Sequence, residues 1–396
     1  MPSRPKLISS ATRLATMALI VVAAVTLTLR QPHAAHRARL SADLTEHLSR
    51  ATKVRKRVIV SGSDQEVDAL AARHHLLLVH RGSAGAVLLA NSAELAELAA
   101  DPALGHLSGD VPVRNWLAIS NQATAADQVR KGYAGGLFGI GAIAAVNGKG
   151  VGVAVIDSGI NAQHTALANK VVASVSFVAG DPSTADVFGH GTHVAGIVAG
   201  QPTNVTALYG GGIAPGAQLI NVRVLGDDGS GYTSNVIDGI EWVINNRARY
   251  NIRVINLSLG HPVFESCVDD PLCQEVGKAV QAGIVVVAAA GNYGQTADGH
   301  MILGGITSPG NSPYAITVGA TNTWGTVDRS DDTVATFSSR GPAPIDFTVK
   351  PDLAAPGVRI VSLQASNSAL PSMYPTLHVA GSGNNAYMLL SGTSMA

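Results

Sequence analysis

The sequence predicts an α/β protein, a parallel sheet with helices on both faces, preceded by a small α+β domain. Three observations carry this. From Gly150 onward, short unbroken apolar runs alternate with amphipathic helical segments, the pattern of buried parallel strands covered by helices. Residues 56–114 instead read strand-helix-strand-strand-helix-strand, the order of a split βαβ, ferredoxin-like sandwich. The length of 396 residues suits two domains at roughly 100–200 residues each.

Composition agrees. Hydrophobic residues make up 46%, which supports a large core and excludes global disorder. Only 14% are charged, against about 25% in an ordinary soluble domain. Lys+Arg and Asp+Glu are 27 each, which excludes a general electrostatic grip on nucleic acid or an anionic membrane. The 43 glycines imply many tight turns.

Residues 1–35 have the form of an export signal. Arg4, Lys6 and Arg13 give a basic start, and the uncharged run Leu14–Leu29 follows, closed by Arg30. The run is shorter than the roughly 20 residues of a spanning helix. No clean A-x-A site follows it, so a cleaved signal and an uncleaved anchor both stand. Residues 36–55, basic and aperiodic, read as a linker.

In the 56–114 domain, Arg57–Val60 is a strand, and Gln65–His75 is a helix with Val67, Leu70 and Ala71 on one face. Leu76–His80 and Ala86–Ala90 form a hairpin through Gly82-Ser-Ala-Gly85. Ser92 caps a helix over Ala93–Ala100, and Leu104–Val113 supplies the last strand. Residues 115–146 are a Gly- and Ala-rich connection. Its Gly139-x-Gly141-x-x-Ala144 imitates a dinucleotide fingerprint, but no strand precedes it, so nucleotide binding is not expected.

Residues 147–396 form the sheet domain. Strands are expected at Val151–Ile156, Leu219–Leu225, Val254–Leu257, Ile284–Ala289, Ala315–Val318 and Val358–Ser362. Helices are expected at Asn235–Asn246 and Leu272–Ala282.

Ligands of such sheets bind at the carboxyl ends of the strands. Asp157 stands there, directly after Val151–Ile156, although Asp is also an ordinary turn residue. His190 lies in Gly189-His-Gly-Thr-His-Val-Ala-Gly196. His190 and His193 are three apart without a Glu or Cys partner, so no metal site is expected. Ser394 sits in Ser391-Gly-Thr-Ser-Met-Ala396, a small-residue turn after a strand. The order Asp, His, Ser opposes an α/β-hydrolase, in which Ser comes first.

Together these segments resemble the subtilisin-like serine peptidases, the subtilases, over roughly residues 147–396. Val155-Ile-Asp-Ser-Gly159, His190-Gly-Thr-His-Val-Ala-Gly196 and Ser391-Gly-Thr-Ser-Met-Ala396 match the family's three signatures. Val254-Ile-Asn-Leu-Ser-Leu-Gly260, Ala289-Ala-Gly-Asn292, Phe337-Ser-Ser-Arg-Gly-Pro342 and Lys350-Pro-Asp-Leu-Ala-Ala-Pro-Gly357 match as well. The resemblance implies a subtilisin-like fold and a secreted endopeptidase of broad specificity acting through an acyl-enzyme. Ser394 is then the nucleophile, His190 its base, Asp157 the residue orienting His190, and Asn292 an oxyanion donor. Ser258, Leu259 and Gly260 on one side, and Gly229, Ser230 and Gly231 on the other, would bind the substrate backbone as an added strand. A pocket near Ala289–Gly291 would set preference. His193 is left out of the triad.

The 56–114 domain stands where subtilases carry an inhibitory propeptide, so the chain's own propeptide is an expected partner beside polypeptide substrates. A monomer, secreted or else anchored and facing outside, is expected. No cofactor is required for the chemistry. The family's strong calcium site looks absent, because Ala166 stands nine residues after Asp157 where many members have Asp; other calcium sites stay open. Cys267 and Cys273 are either a local disulfide, the favoured reading for an exported protein, or two free thiols. The family continues past the nucleophile into a long buried helix. The sequence ends two residues after Ser394, so it is expected to be a piece of a longer product that folds poorly and hydrolyses little by itself.

Overall fold

The computed structural model describes residues 37–82, 85–109, 116–133 and 142–396. The apolar run Leu14–Leu29, the residues after Gly109 in the last strand expected of the small domain, and Gly139 and Gly141 lie outside the described residues. Among the described residues no helix is long and apolar enough to cross a membrane. The chain divides into two units, Met1–Pro112 and Val113–Ala396.

The first unit runs β1 (Arg39–Leu40), α1 (Ala42–Ser49), β2 (Lys56–Ser61), α2 (Asp64–Arg73), β3 (Leu77–Gly82), β4 (Gly85–Ala90), α3 (Ser92–Ala99) and β5 (His106–Gly109). Its sheet has the order β1-β5-β2-β4-β3, with β2 antiparallel to both neighbours. The last four strands have the arrangement of the split βαβ sandwich. The linker expected over 36–55 is corrected here. Residues 39–49 form a strand paired to β5 and a helix whose Leu44 is fully buried with Leu95, Leu98 and Leu107. Few apolar residues in a basic stretch hid this. The cap of α3 is Asn91, whose side chain accepts from the N–H groups of Ala93 and Glu94. Ser92 lies inside the helix and gives its hydroxyl to the His47 carbonyl.

The second unit opens with α4 (Trp116–Ala123) and α5 (Ala126–Lys131), where only a connection was expected. Asn121 of α4 is buried and donates to the Gly211 carbonyl at 3.0 Å, so this stretch is part of the unit. There follow β6 (Gly152–Asp157), β7 (Val171–Ser176), α6 (His190–Ala199), β8 (Gln218–Arg223), α7 (Thr233–Asn246), β9 (Ile252–Leu257), β10 (His261–Pro262), α8 (Pro271–Gln281), β11 (Val285–Ala289), β12 (Thr307–Ser308), β13 (Ile316–Asn322), β14 (Thr333–Val334), β15 (Leu353–Pro356), β16 (Ile360–Leu363), β17 (His378–Ala380) and β18 (Tyr387–Leu390).

The central sheet has the order β14-β13-β11-β9-β6-β8-β7, with β15 also on β13. All its pairings are parallel except β13–β14. Strand β6 explains why its run is apolar throughout. Ala154 and Ile156 pack with Val236, Ile240 and Val243 of α7 and Leu272 and Val276 of α8. Val153 and Val155 face the other way, with Val194, Ala195 and Ala199 of α6 and Ile360, Val361 and Leu363. The run Val358–Ser362, expected in the parallel sheet, instead gives β16 of a separate antiparallel sheet, β16-β18-β17. A fully buried apolar run looks the same in either kind of sheet.

Cys267 and Cys273 are joined in a disulfide, their Cα atoms 5.4 Å apart. The bridge ties the loop after β10 to the first turn of α8, whose cap is Asp270.

Candidate active site

Asp157 is the last residue of β6 and is fully buried. One of its oxygens accepts the Ser158 N–H at 2.7 Å, which fixes the carboxylate plane. His190 opens α6, and its Nδ1 lies 2.8 and 3.0 Å from the two Asp157 oxygens. Its side chain keeps 18% exposure. The carboxylate can only accept, so Nδ1 carries hydrogen and Nε2 is left to face the cleft. Burial pushes the pKa of His190 down. The charge and hydrogen bond of Asp157, with Asp186 behind them, outweigh it and hold the ring above the usual histidine range.

The helix can come this close because Gly191 has no side chain. A Cβ there would collide with the Gly159 carbonyl and crowd Asp157. Gly189, with φ of 108°, makes the turn into the helix.

Asp186 was not singled out in the sequence. It is buried and accepts from the Ser158 hydroxyl at 2.8 Å, the Gly189 N–H at 2.6 Å and the Thr192 N–H at 2.8 Å. It therefore seats the first turn of α6, where a carboxylate also meets the positive helix end. Burial drives its pKa up against these bonds. A lone Asp in a loop gives little signal; its distance from His190, four positions back, was the available one. His193 is fully buried, with Nε2 on the Ile360 carbonyl at 3.2 Å. Burial and the nearby His190 push it down to about 3. It is a neutral packing residue, apart from the His190–Asp157 pair.

Ser394 lies in a tight turn, Thr393–Met395, just after β18. Its hydroxyl donates to the Ser258 carbonyl at 3.1 Å, and the Ser258 hydroxyl donates to the Ser394 carbonyl at 2.9 Å. Asn292 follows β11 and accepts from the Thr393 N–H at 3.0 Å and the Thr393 hydroxyl at 3.2 Å. A backbone N–H must point at an oxygen, so this contact fixes the amide and turns its NH2 the other way.

Apart from Asp157, which lies behind His190, the site residues expected from the sequence line two clefts, His190 in one and Ser394 in the other, and the Ser394 hydroxyl is bonded to Ser258 rather than to His190. One, of about 390 Å³, is lined by His190, by Gly229, Ser230 and Gly231, and by Ser258, Leu259 and Gly260. The other, of about 400 Å³, is lined by Ser258, Leu259, Gly260, Ala289, Gly291, Asn292 and Ser394. The segment Ser258–Gly260 borders both. Ala166 is fully buried.

A mostly parallel sheet covered by helices, with Asp157 at the end of β6 bonded to His190 of α6, defines an α/β protein, and comparison supplies the family. Residues 148–396 match the subtilase family, Peptidase_S8, and the chain belongs to it. It is similar to the serine protease AprX of Bacillus subtilis (strain 168), 40% identical over 260 residues that cover 63% of this chain and 55% of AprX. It is also similar to Subtilisin Savinase of Lederbergia lenta, 37% identical over 251 residues, 63% of this chain and 73% of that protein. Among solved structures, S41 Psychrophilic Protease matches with a TM-score of 0.50 and 32% identity, over 63% of this chain and 74% of that one. Sphericase matches with a TM-score of 0.50 and 30% identity over the same shares.

Proposed function

We propose that the protein is an exported serine endopeptidase of broad specificity, with Asp157, His190 and Ser394 as its triad. The observation that carries this is the hydrogen bond of Asp157 to His190 Nδ1, 2.8 Å, at the wall of the cleft bordered by Ser258. Ser394 borders the adjoining cleft across that same segment.

In this reading the Ser394 hydroxyl turns from the Ser258 carbonyl to His190 Nε2 and attacks the scissile carbonyl as the ring takes its proton. The oxyanion is held by the Asn292 NH2 and the Ser394 N–H. His190, cationic and stabilised by Asp157, passes the proton to the leaving amine. Water then repeats the sequence on the acyl-enzyme. Backbone pairing to Ser258–Gly260 and Gly229–Gly231 places few demands on substrate sequence, which supports broad cleavage. The first unit is proposed to act as an inhibitor in cis, and the mature enzyme as a monomer.

A fluorophosphonate probe applied to the protein as its own gene produces it tests the reading. Labelling at Ser394 is expected, lost in Ser394→Ala and weakened in His190→Ala. A folded, processed sample that takes no label would leave a non-catalytic binding protein on the subtilase fold.

A further inference from the structure

Arg223 is an unusual occupant for the end of a central strand. It is 1% exposed, a cation among the most completely buried large side chains of the protein, and it pairs in register with Asp157 across β6 and β8. Four of its five N–H donors are used. Nη1 donates to Asp181 Oδ2 at 2.8 Å and to the Ser183 carbonyl at 2.9 Å. Nη2 donates to Asp227 Oδ1 at 2.7 Å, and Nε to the Leu225 carbonyl at 3.2 Å. Its partners come from two loops. Asp181 and Ser183 belong to the loop that leads from β7 to His190. Leu225 and Asp227 open the loop that ends in the cleft wall Gly229–Gly231.

The two loops meet again further out, where a Cβ on Gly229 would strike the ring of Phe188. Within the second loop, Gly226 and Ser230 close a turn at 2.7 Å, and Asp228 holds Ser230 by its N–H and hydroxyl. The wall is therefore braced within itself, and Arg223 sits at its root. Arg223 is buried while Asp181 and Asp227 keep much of their exposure, so the ion pairs add little net stability; what a planar fork supplies is fixed geometry.

We propose that Arg223 is a positioning residue for substrate. It sets the spacing between the His190 loop and the Gly229–Gly231 wall, and so keeps the cleft at the width of an added peptide strand before substrate arrives. This rests on the peptidase reading for the identity of the ligand as a polypeptide, while its test reads binding alone.

The test is the affinity of a fluorescein-labelled apolar peptide long enough to span the cleft, measured by anisotropy on full-length protein carrying Ser394→Ala. Arg223→Met is expected to weaken binding roughly tenfold or more, the scale of one lost charged hydrogen bond. Arg223→Lys, which keeps the charge without the fork, is expected to recover only part. Asp227→Asn removes one arm at an exposed position and serves if Arg223→Met fails to fold; a severalfold loss is expected. On the Ser394 protein, fluorophosphonate labelling of the same variants should fall far less than peptide affinity. Unchanged affinity in a folded Arg223→Met or Asp227→Asn protein overturns the proposal. So does a parallel fall in affinity, labelling and Tm, which marks a purely structural residue. Failure of the parent protein to label would instead sink the peptidase reading.

Discussion

Ser394 and Ser258 exchange hydrogen bonds: each hydroxyl donates to the other's backbone carbonyl, at 3.1 and 2.9 Å. The Ser394 hydrogen is thus directed at the Ser258–Gly260 segment, and the turn that carries it is anchored there too. The Ser258 hydroxyl also accepts from Asn256 Nδ2 at 2.9 Å. Ser258→Ala removes the anchor and leaves that amide unpaired. A cost of about 1 kcal/mol in transition-state stabilisation is expected, a severalfold fall in kcat. Steady-state kinetics check it, and labelling at Ser394 should slow by the same factor. An unaltered rate would show the pair to be idle.

The Asn292 amide is oriented by Thr393, so its NH2 is available without reorganisation. Asn292→Ala should lower kcat by roughly 10²–10³ while moving KM little, because the donor acts on charge that exists only in the transition state. Asn292→Asp should be no better, since it offers an acceptor in place of a donor. A loss confined to KM would remove Asn292 from the oxyanion site.

The charge of Asp186 raises the pKa of His190 without touching it. The base must be neutral to act, so a raised pKa places the acid limb of the kcat/KM profile above the value of an ordinary histidine, about 6.5. Asp186→Asn removes one of the charges that hold the imidazolium, so the limb should move to lower pH. The plateau should also fall severalfold, because the Gly189 and Thr192 N–H groups lose their shared carboxylate. A profile that drops without shifting would show Asp186 to be purely structural.

In the first unit, Asp101 is buried and bonded to His74 at 2.7 Å, to the Ala103 N–H at 2.9 Å and to Arg73 at 2.6 Å. Burial alone would raise its pKa; the bonds, led by His74, bring it down to about 2. Its stabilisation is fully present above the unfolded value, about 3.9, and is lost as pH falls toward 2. The shift corresponds to roughly 2–3 kcal/mol at neutral pH. Asp101→Asn should therefore increase amide exchange in α2 and α3 at pH 7, and the difference from the parent should shrink near pH 2. Hydrogen exchange with mass spectrometry reads it on the whole chain.

The sequence showed most where backbone and side chains obey one rule over several residues. The run before Asp157 is apolar on both faces because β6 is covered on both, and His190 opens α6 between two glycines, of which Gly191 lies against the Gly159 carbonyl. Legibility failed where the physics is non-local. Leu44 becomes a core residue only because β5 and α3 come to meet it. Ile360 and Val361 look like parallel-sheet residues and belong to an antiparallel one. Asp186 gave no signal in its loop, and Arg223 stood unremarked inside an expected strand; only the folded loops show that each is buried and what it bonds.

The spacing of the site along the chain has a consequence for how it comes into being. Asp157 and His190 are 33 positions apart, but the Ser258–Ser394 pair spans 136 and the Asn292–Thr393 contact 101. Contacts that close such long loops form late and slowly, and the ribosome delivers the chain from its N-terminal end. On the proposed mechanism, the Asp157–His190 pair is therefore made well before Ser394 reaches it. A partly synthesised chain that lacks the last turn would hold the pair with no hydroxyl to activate.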